Sequence, residues 1–149
     1  MTKPSMVLIE VTPGEWFDRV TQLEIQAHDL SGEQRQHVLD QLSRCRELPG
    51  GKIMNYRRHS EPVLRRLVDL LLVANSELQV NQACLDEFSD DSFPLSNYGP
   101  MDCWPRWVPD YVDAARCVYV SNTKRSELKQ QIDEFFRTQY APKEYANHG

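Results

Sequence analysis

The residues whose chemistry is easiest to interpret lie in the last long helical stretch of the sequence, from position 111 to position 132. The stripe of this helix that should face a core is apolar at both ends, but its middle positions are Asn122 and Arg125. Burying an amide or a guanidinium is costly unless each group is paired. The sequence must therefore supply partners, and a carboxylate or a phosphate suits a guanidinium because it accepts two parallel hydrogen bonds.

Carboxylates that could meet Arg125 come from the first predicted helix, which also places Thr21 one turn from Asp18. The candidate residues for a polar centre between the helices are Asp18, Glu24, Arg116, Asn122 and Arg125. Such a centre could hold the phosphates or sugar hydroxyls of a nucleotide or a nucleotide-sugar. It could also be a structural network that fixes the register of the helices, and the sequence leaves both interpretations open.

Metal binding and covalent catalysis have weaker support. Carboxylates at Asp18, Glu24, Asp86 and Glu87 could bind Mg²⁺ or a di-iron centre, but no inward Glu-x-x-His or paired Glu-x-x-Glu accompanies them. The 4 cysteines are widely spaced, without the short paired spacing of a zinc site. No Ser, Cys or His lies in a nucleophile motif. The sequence therefore predicts no metal, no cofactor and no catalytic residue.

A second candidate surface combines aromatic and basic residues. The segment 56–59 reads Tyr-Arg-Arg-His, and the segment 104–107 reads Trp-Pro-Arg-Trp. Trp and Arg dominate the hot spots of protein interfaces, and Arg also pairs with phosphate. The predicted partner-binding residues are Tyr56, Arg57, Arg58, Trp104, Arg106 and Trp107. The alternatives are a solvated helix start for the first segment and a loop that seals one end of the domain for the second.

Composition limits the classes of function. The chain has 149 residues, which suits one domain, with 40% apolar and 26% charged residues. A net charge of −5 argues against general nucleic-acid binding. No apolar run approaches the roughly 18 residues of a membrane span, and the first residues lack the apolar region of a signal peptide. These features predict a cytoplasmic globular protein.

The helix signals in the sequence predict four helices. We therefore expect an all-α, four-helix bundle that forms a single domain, 1–149. The first helix starts at Thr12, which can cap it, with Pro13 in the first turn and Glu15 completing a capping box. The second runs from residues 31–34 to the Pro-Gly-Gly at 49–51. The third starts at 60–62 and fades between 85 and 88, with inward residues Val63, Leu67, Leu70, Leu71, Ala74 and Leu78.

The remaining segments connect these helices. Residues 52–59 are predicted to be a connector, 89–108 a long loop rich in Pro and aromatic residues, and 140–149 a polar tail after a fourth helix that runs from Pro109 to about residue 137. Residues 6–11 form a short apolar extended segment. That segment could be an isolated strand, lie on the helices, or pair with a second copy, and the last alternative would make a homodimer.

Two segments also carry a resemblance to a known family. Residues 11–25 read Val-Thr-Pro-Gly-Glu-Trp-Phe-Asp-Arg-Val-Thr-Gln-Leu-Glu-Ile, and residues 115–122 read Ala-Arg-Cys-Val-Tyr-Val-Ser-Asn, followed by Arg125 and Leu128-Lys129. These segments resemble the opening and the Ala-Arg-x-Val-Tyr-x-x-Asn-x-x-Arg-x-x-Leu-Lys helix of an uncharacterised bacterial family, the domain-of-unknown-function family 6165. Its members are small proteins encoded near glycosyltransferases and other surface-polysaccharide genes.

The resemblance implies a setting in glycan synthesis rather than a reaction. The family usually carries Asn-x-x-Leu-Trp and a Glu-Asp pair in the third helix, whereas this chain keeps Asn75 but lacks the Trp and the acidic pair. An activity that needed that pair is not expected here. The interpretation favoured by the sequence is a non-catalytic accessory or protein-binding module, whose partner would be a glycan-synthesis enzyme.

Two other functions stay open. One is a small enzyme or sensor that binds a nucleotide or nucleotide-sugar in the polar centre. The other is a phage- or plasmid-encoded inhibitor, because small acidic helical proteins often block basic surfaces.

Overall fold

The described part of the chain consists of α-helices joined by short turns. The structure, a computed structural model, describes residues 9–88 and 108–146, with the backbone alone over 140–146. In chain order the helices are α1 (Pro13–Asp29), α2 (Gly32–Glu47), α3 (Pro49–Ser60), α4 (Pro62–Asp86) and α5 (Val108–Ala146). The all-α prediction is confirmed, but the described residues form five helices where four were predicted.

The additional helix is α3, which occupies the segment predicted to be a connector, 52–59. Pro49 stands in its first turn, where a fixed φ favours the helix and a missing N–H costs nothing. A Cβ at Gly51 would overlap the backbone carbonyl of Cys45, so the corner between α2 and α3 requires glycine there. Gly51 therefore permits a tight corner after α2, and both glycines belong to the first turn of α3. The sequence pattern alone had indicated that the second helix ends here, without predicting that another begins.

Helix α1 lies in the middle of the packing arrangement. It starts as predicted, with the Thr12 hydroxyl accepting a hydrogen bond from the Glu15 amide at 3.2 Å. One side of α1 packs on α4 and α5, which pack extensively on each other, and the other side packs on α2. Helix α3 contacts α2 and α4. Because α1 is covered on two sides, polar residues on it can be deeply buried.

The core accordingly has two clusters that share α1. The larger joins α1, α4 and α5 through Phe17, Leu64, Val68, Leu71, Ile132 and Phe136. The smaller joins α1 and α2 through Val20, Leu23, Ala27, Val38 and Leu42. Most of the burial that holds α1 in place therefore comes from contacts distant in sequence, with α5 closing over a helix at the opposite end of the chain.

The inward face of α4 differs in part from the prediction. Leu71 and Ala74 are buried as expected, but Val63 and Leu70 are exposed. The buried positions also include Leu64, Val68 and Asn75. Helix α4 carries apolar residues on two sides, so its sequence pattern fits two faces, and packing against α1 and α5 selects one of them.

Other boundaries also shift. The predicted loop 89–108 lies outside the described residues except for Val108, which begins α5 and is buried. Helix α5 continues to Ala146, so the predicted tail is helical over 140–146, because extending an existing helix is easier than starting one. Of the extended segment 6–11, the described residues 9–11 are outside any helix or strand.

None of the described helices has the length and apolar character needed to cross a membrane.

Candidate functional site

The polar centre of the domain is a buried ion pair between Asp18 of α1 and Arg125 of α5. Arg125 donates from Nε to Oδ1 of Asp18 at 2.8 Å and from Nη2 to Oδ2 at 2.6 Å. This is the bidentate geometry that the pattern of α5 required. Asp18 is only 5% exposed, whereas 26% of the Arg125 side chain remains exposed. The carboxylate is therefore enclosed, and the guanidinium has one side available to solvent.

Asn75 of α4 completes this network and was not among the predicted site residues. Its Nδ2 donates one hydrogen bond to Oδ1 of Asp18 at 3.0 Å and another to the Thr21 hydroxyl at 2.9 Å. Thr21 in turn donates to the carbonyl of Phe17 at 2.8 Å. The signal in the sequence was an amide at position 75, one turn after Leu71 on an otherwise apolar stripe.

The charges around Asp18 favour its ionised form. Burial by itself raises the pKa of this carboxyl, but hydrogen bonds from Arg125 and Asn75 and the charges of Arg125 and Lys129 outweigh burial and lower the pKa. The Lys129 ammonium lies 3.9 Å from Oδ2. The hydrogen bond with Asp18 raises the pKa of Arg125. Both partners therefore stay charged at neutral pH.

This lowered pKa predicts a specific acid sensitivity. A carboxyl with a folded-state pKa below its unfolded value of about 3.9 contributes its full stabilisation above that value and loses it as pH falls through the folded pKa. We expect the free energy of unfolding to fall with pH below about 5, and Asp18→Asn to make that fall shallower. Urea unfolding at a series of pH values measures both slopes, and identical slopes would contradict the assignment.

Glu24, predicted to join this centre, belongs to a different cluster. It accepts hydrogen bonds from Arg58 of α3 at 2.5 and 3.1 Å and from Arg46 of α2 at 2.8 Å. Asp18 and Glu24 are six residues apart, which separates them by about 120° around a helix of 3.6 residues per turn. Glu24 therefore faces α2 and α3, and its hydrogen bonds connect α1 to both of these helices.

The predicted partner-binding residues also lie in different environments. Arg58 is buried against Glu24, and Arg57 donates to Glu61 at 3.0 Å while lying 4.6 Å from the centre of the Phe136 ring. Both arginines therefore make contacts within the domain, to Glu24 for Arg58 and to Glu61 and Phe136 for Arg57, and little of either side chain is exposed. Tyr56 is exposed, as the prediction required. Trp104, Arg106 and Trp107 lie outside the described residues.

The two remaining predicted residues lie on the exposed part of α5. Arg116 is exposed and takes no part in the contacts to Asp18. Asn122 is exposed too, with Oδ1 at 3.5 Å from Nη1 of Arg125. The structure therefore unites Asp18 with Arg125, places Asn122 at the edge of the pair, and separates Glu24 and Arg116 from it.

An open cleft lies directly above the buried pair, between α1, α4 and α5. Its volume is about 640 Å³, within the usual range for small-molecule sites. Among the described residues, the polar lining consists mainly of amides, with one guanidinium and one carboxylate: Gln22, Gln26, Asn75, Gln79, Gln82, Asp86, Asn122 and Arg125. The apolar lining comprises Ile25, Leu78, Ala83 and Val118. Asn75 and Arg125 thus connect the buried network to a solvent-accessible cavity.

Within the described ranges, no group of three or more His, Cys, Asp or Glu residues is arranged to hold a metal ion.

Comparison with known proteins does not add a name to this site. No protein-family model matches the chain, and no similar protein is found among curated proteins or solved structures. The resemblance to the domain-of-unknown-function family 6165 therefore stays a prediction made from the two sequence segments.

Proposed function

We propose that this protein is a non-catalytic binding module that takes a neutral, hydroxyl-rich small molecule, such as a sugar, into the cleft between α1, α4 and α5. The amide lining of the cleft is the observation that carries the proposal. An amide offers donors and an acceptor side by side, and each hydroxyl of a sugar is both donor and acceptor. The apolar lining residues can contact the C–H faces of a sugar ring.

The charge of the cleft favours a neutral ligand over a free anion. Among the described residues that line the cleft, Arg125 is the cation, and its Nε and Nη2 already donate to the Asp18 carboxylate. What remains for a ligand is mainly Nη1, together with the nearby Asn122 amide. The same lining includes the Asp86 carboxylate, which accepts a hydrogen bond from Gln82, so the cleft is not a purely cationic site of the kind that a phosphate favours. A nucleotide-sugar would therefore bind through its sugar rather than through its phosphates.

The state of Asp18 supports binding rather than proton transfer. A general acid or base needs a pKa near the working pH and an atom within reach of the substrate. Asp18 has a lowered pKa, it is buried, and both of its oxygens accept hydrogen bonds. Asp18 therefore acts by holding the side chains of Arg125 and Asn75 in place beneath the cleft.

Calorimetric titration and thermal shift with a defined ligand panel test this proposal. The panel contains neutral mono- and oligosaccharides, nucleotide-sugars, the matching nucleotides, and inorganic phosphate. We expect the sugar-containing ligands to bind and a free sugar to compete with its nucleotide-sugar. A ligand at one hundred times its Kd adds about 2.7 kcal/mol to the stability of the fold, which raises Tm by several degrees. Equal binding by phosphate alone would overturn the proposal.

A matched pair of α5 variants assigns the binding to the cleft. Asn122→Ala removes an exposed lining amide whose one hydrogen bond, at 3.5 Å, is weak, so the fold should tolerate it. One lost hydrogen bond predicts affinity lower by about 3- to 10-fold. Gln130→Ala changes an exposed amide of the same helix outside the cleft and should leave affinity unchanged. Equal affinity in both variants would place the ligand elsewhere.

A second candidate function is capture of a protein partner through α3. Tyr56 is 72% exposed and lies one turn from Ile53, which is exposed too. Exposed aromatic and apolar neighbours of this kind favour a protein contact. The resemblance points to a bacterial glycan-synthesis enzyme as that partner, and the composition of the sequence points to the cytoplasm as the place where they meet.

In-cell photocrosslinking distinguishes this function from the first. A photoreactive residue at position 56 should capture one defined glycosyltransferase-like partner. The same residue at Tyr119, which is 74% exposed on α5, is the matched control and should capture none. Equal capture at both positions would remove the support for an α3 interface.

A further inference from the structure

Helix α4 carries a second apolar face that no other described helix covers. Its members retain between 45% and 62% of their surface, and they are Val63, Leu70, Val73 and Val80. The charged residues Arg66 and Glu77 stand at the intervening positions of the same face. We call these six residues the α4 stripe. Steps of three and four residues alternate along it, which is the spacing of a coiled-coil seam.

The α4 stripe is symmetric about the midpoint between Leu70 and Val73. Val63 and Val80 lie at equal distances on either side of that point, and so do Arg66 and Glu77. Each apolar position is thus related to another apolar position, and the cationic Arg66 is related to the anionic Glu77. A two-fold axis through the midpoint would superpose the stripe of one chain, running antiparallel, on the stripe of another.

We propose that the α4 stripe is an isologous interface between two copies of this chain, with the α4 helices antiparallel. Leu70 then packs against Val73 of the second copy, and Val63 packs against Val80 of the second copy. Arg66 meets Glu77 of the second copy, and the symmetry of the pair makes each contact twice. The proposal is independent of the cleft, because no member of the α4 stripe lines it.

The charges select this arrangement over its alternatives. A parallel pair would place Arg66 against Arg66 and Glu77 against Glu77, and like charges in contact are unfavourable. An antiparallel pair slipped by seven residues would set a charged residue against an apolar one, burying the charge without a partner. In the single chain, Arg66 forms no ion pair with any described residue, and the nearest cation to Glu77 is Lys124 at 4.0 Å. Arg66 is therefore available to a second copy, and the pair of Glu77 with Lys124 is long and exposed enough to leave the carboxylate able to accept a second cation.

The surface beside the α4 stripe can receive a neighbouring helix. A hollow of about 350 Å³ lies on one side of Leu70 and Val73, towards Pro62 and Arg65, and a hollow of about 270 Å³ lies on the other, towards Leu128. The stripe is thus a ridge between two hollows, and a ridge flanked by hollows suits the packing of one helix against another. From Val63 to Val80 the ridge is about 26 Å long. A contact of that length lies at the small end of stable interfaces, so we expect a Kd in the micromolar range.

Sedimentation equilibrium of the full chain measures this association. Between about 1 and 100 µM, the average mass should rise from 17.4 kDa towards twice that value. Leu70→Glu inserts a charge at the axis and should raise the Kd about 100-fold. Val120→Glu, at a comparably exposed apolar position of α5, is the control and should leave the Kd unchanged. A chain that stays monomeric at 100 µM, or a dimer unaffected by Leu70→Glu, would overturn the proposal.

Charge reversal tests the symmetry itself. Arg66→Glu alone, or Glu77→Arg alone, brings like charges together in both halves of the interface and should weaken the dimer about 10-fold or more. The double variant restores opposite charges and should return the Kd to within about threefold of the original. Because both residues are exposed, the fold tolerates these changes, which circular dichroism verifies. A double variant as weak as the single ones would contradict the antiparallel register.

Discussion

Replacing Asp18 by Ala is expected to lower the free energy of unfolding by about 3 kcal/mol, a large part of the stability of an ordinary domain. The variant leaves the Arg125 guanidinium without its carboxylate and removes one of the two hydrogen bonds of the Asn75 amide. Breaking a buried pair from one side costs more than the pair contributes, because the remaining charge stays desolvated. The cost lies at the lower end of the usual range because 26% of the Arg125 side chain can rehydrate.

A double-mutant cycle separates the pair from its surroundings. Urea unfolding of Asp18→Ala, Arg125→Ala and the double variant should give a coupling energy of about 1–3 kcal/mol. The exposed pair between Arg137 and Glu134 is the matched control, since its N–O distance is 2.8 Å but its cycle should give less than about 1 kcal/mol. Additive effects at Asp18 and Arg125 would show that the two side chains contribute independently.

The second large effect is expected from Gly14→Ala. A Cβ at this position would overlap the backbone carbonyl of Lys129 and lie 3.0 Å from Oδ1 of Asp133. The Asp133 carboxylate also accepts a hydrogen bond from the Gly14 amide at 2.7 Å. Neither this carboxylate nor the Lys129 carbonyl can therefore move away freely. We expect a loss of about 2 kcal/mol from overpacking, with α1 displaced from α5.

Gly50→Ala is the matched control for Gly14→Ala. Gly50 is also helical, and a Cβ there meets nothing within 4 Å. This variant should be neutral or more stable by up to about 1 kcal/mol, because Ala favours a helix more than Gly does. Thermal unfolding of both variants measures the contrast. A stable Gly14→Ala variant would show that the two helices do not approach closely at this position.

From the sequence, the pattern of α5 alone indicated that Arg125 needs a partner, and α1 offered the carboxylates that could be that partner. Arg125 on an apolar stripe required an acidic partner, and Asp18 on the first helix could supply it. The position of Glu24 could not be deduced in the same way, since the pattern of α1 shows that two of its sides are polar without showing which helix each side meets. Asn75 carried the same kind of signal as Arg125, and its role became specific only when α4 was placed beside α1.

The errors in the fold have a common physical origin. Gly50 and Gly51 indicated a chain break because local propensity disfavours glycine in helices, but the tight corner after α2 needs a glycine at Gly51. On α4, both Leu70 and Leu71 fit an inward stripe, and packing decided between them. Local patterns thus determined that helices form, while the choice of face and the corner between helices depended on tertiary contacts.

The distance along the chain between Asp18 and Arg125 has a consequence for the order of events during synthesis. The two residues are 107 positions apart, so at typical elongation rates the carboxylate emerges about 5 to 20 s before its guanidinium. Throughout that interval, α1 presents a bare negative charge beside the apolar surface of Phe17. Until α5 arrives, the side of α1 that carries Asp18 stays open to water, because α5 packs against that side and supplies its counter-charges. The ion pair makes stable folding conditional on the arrival of α5, which disfavours compact states of prematurely ended chains.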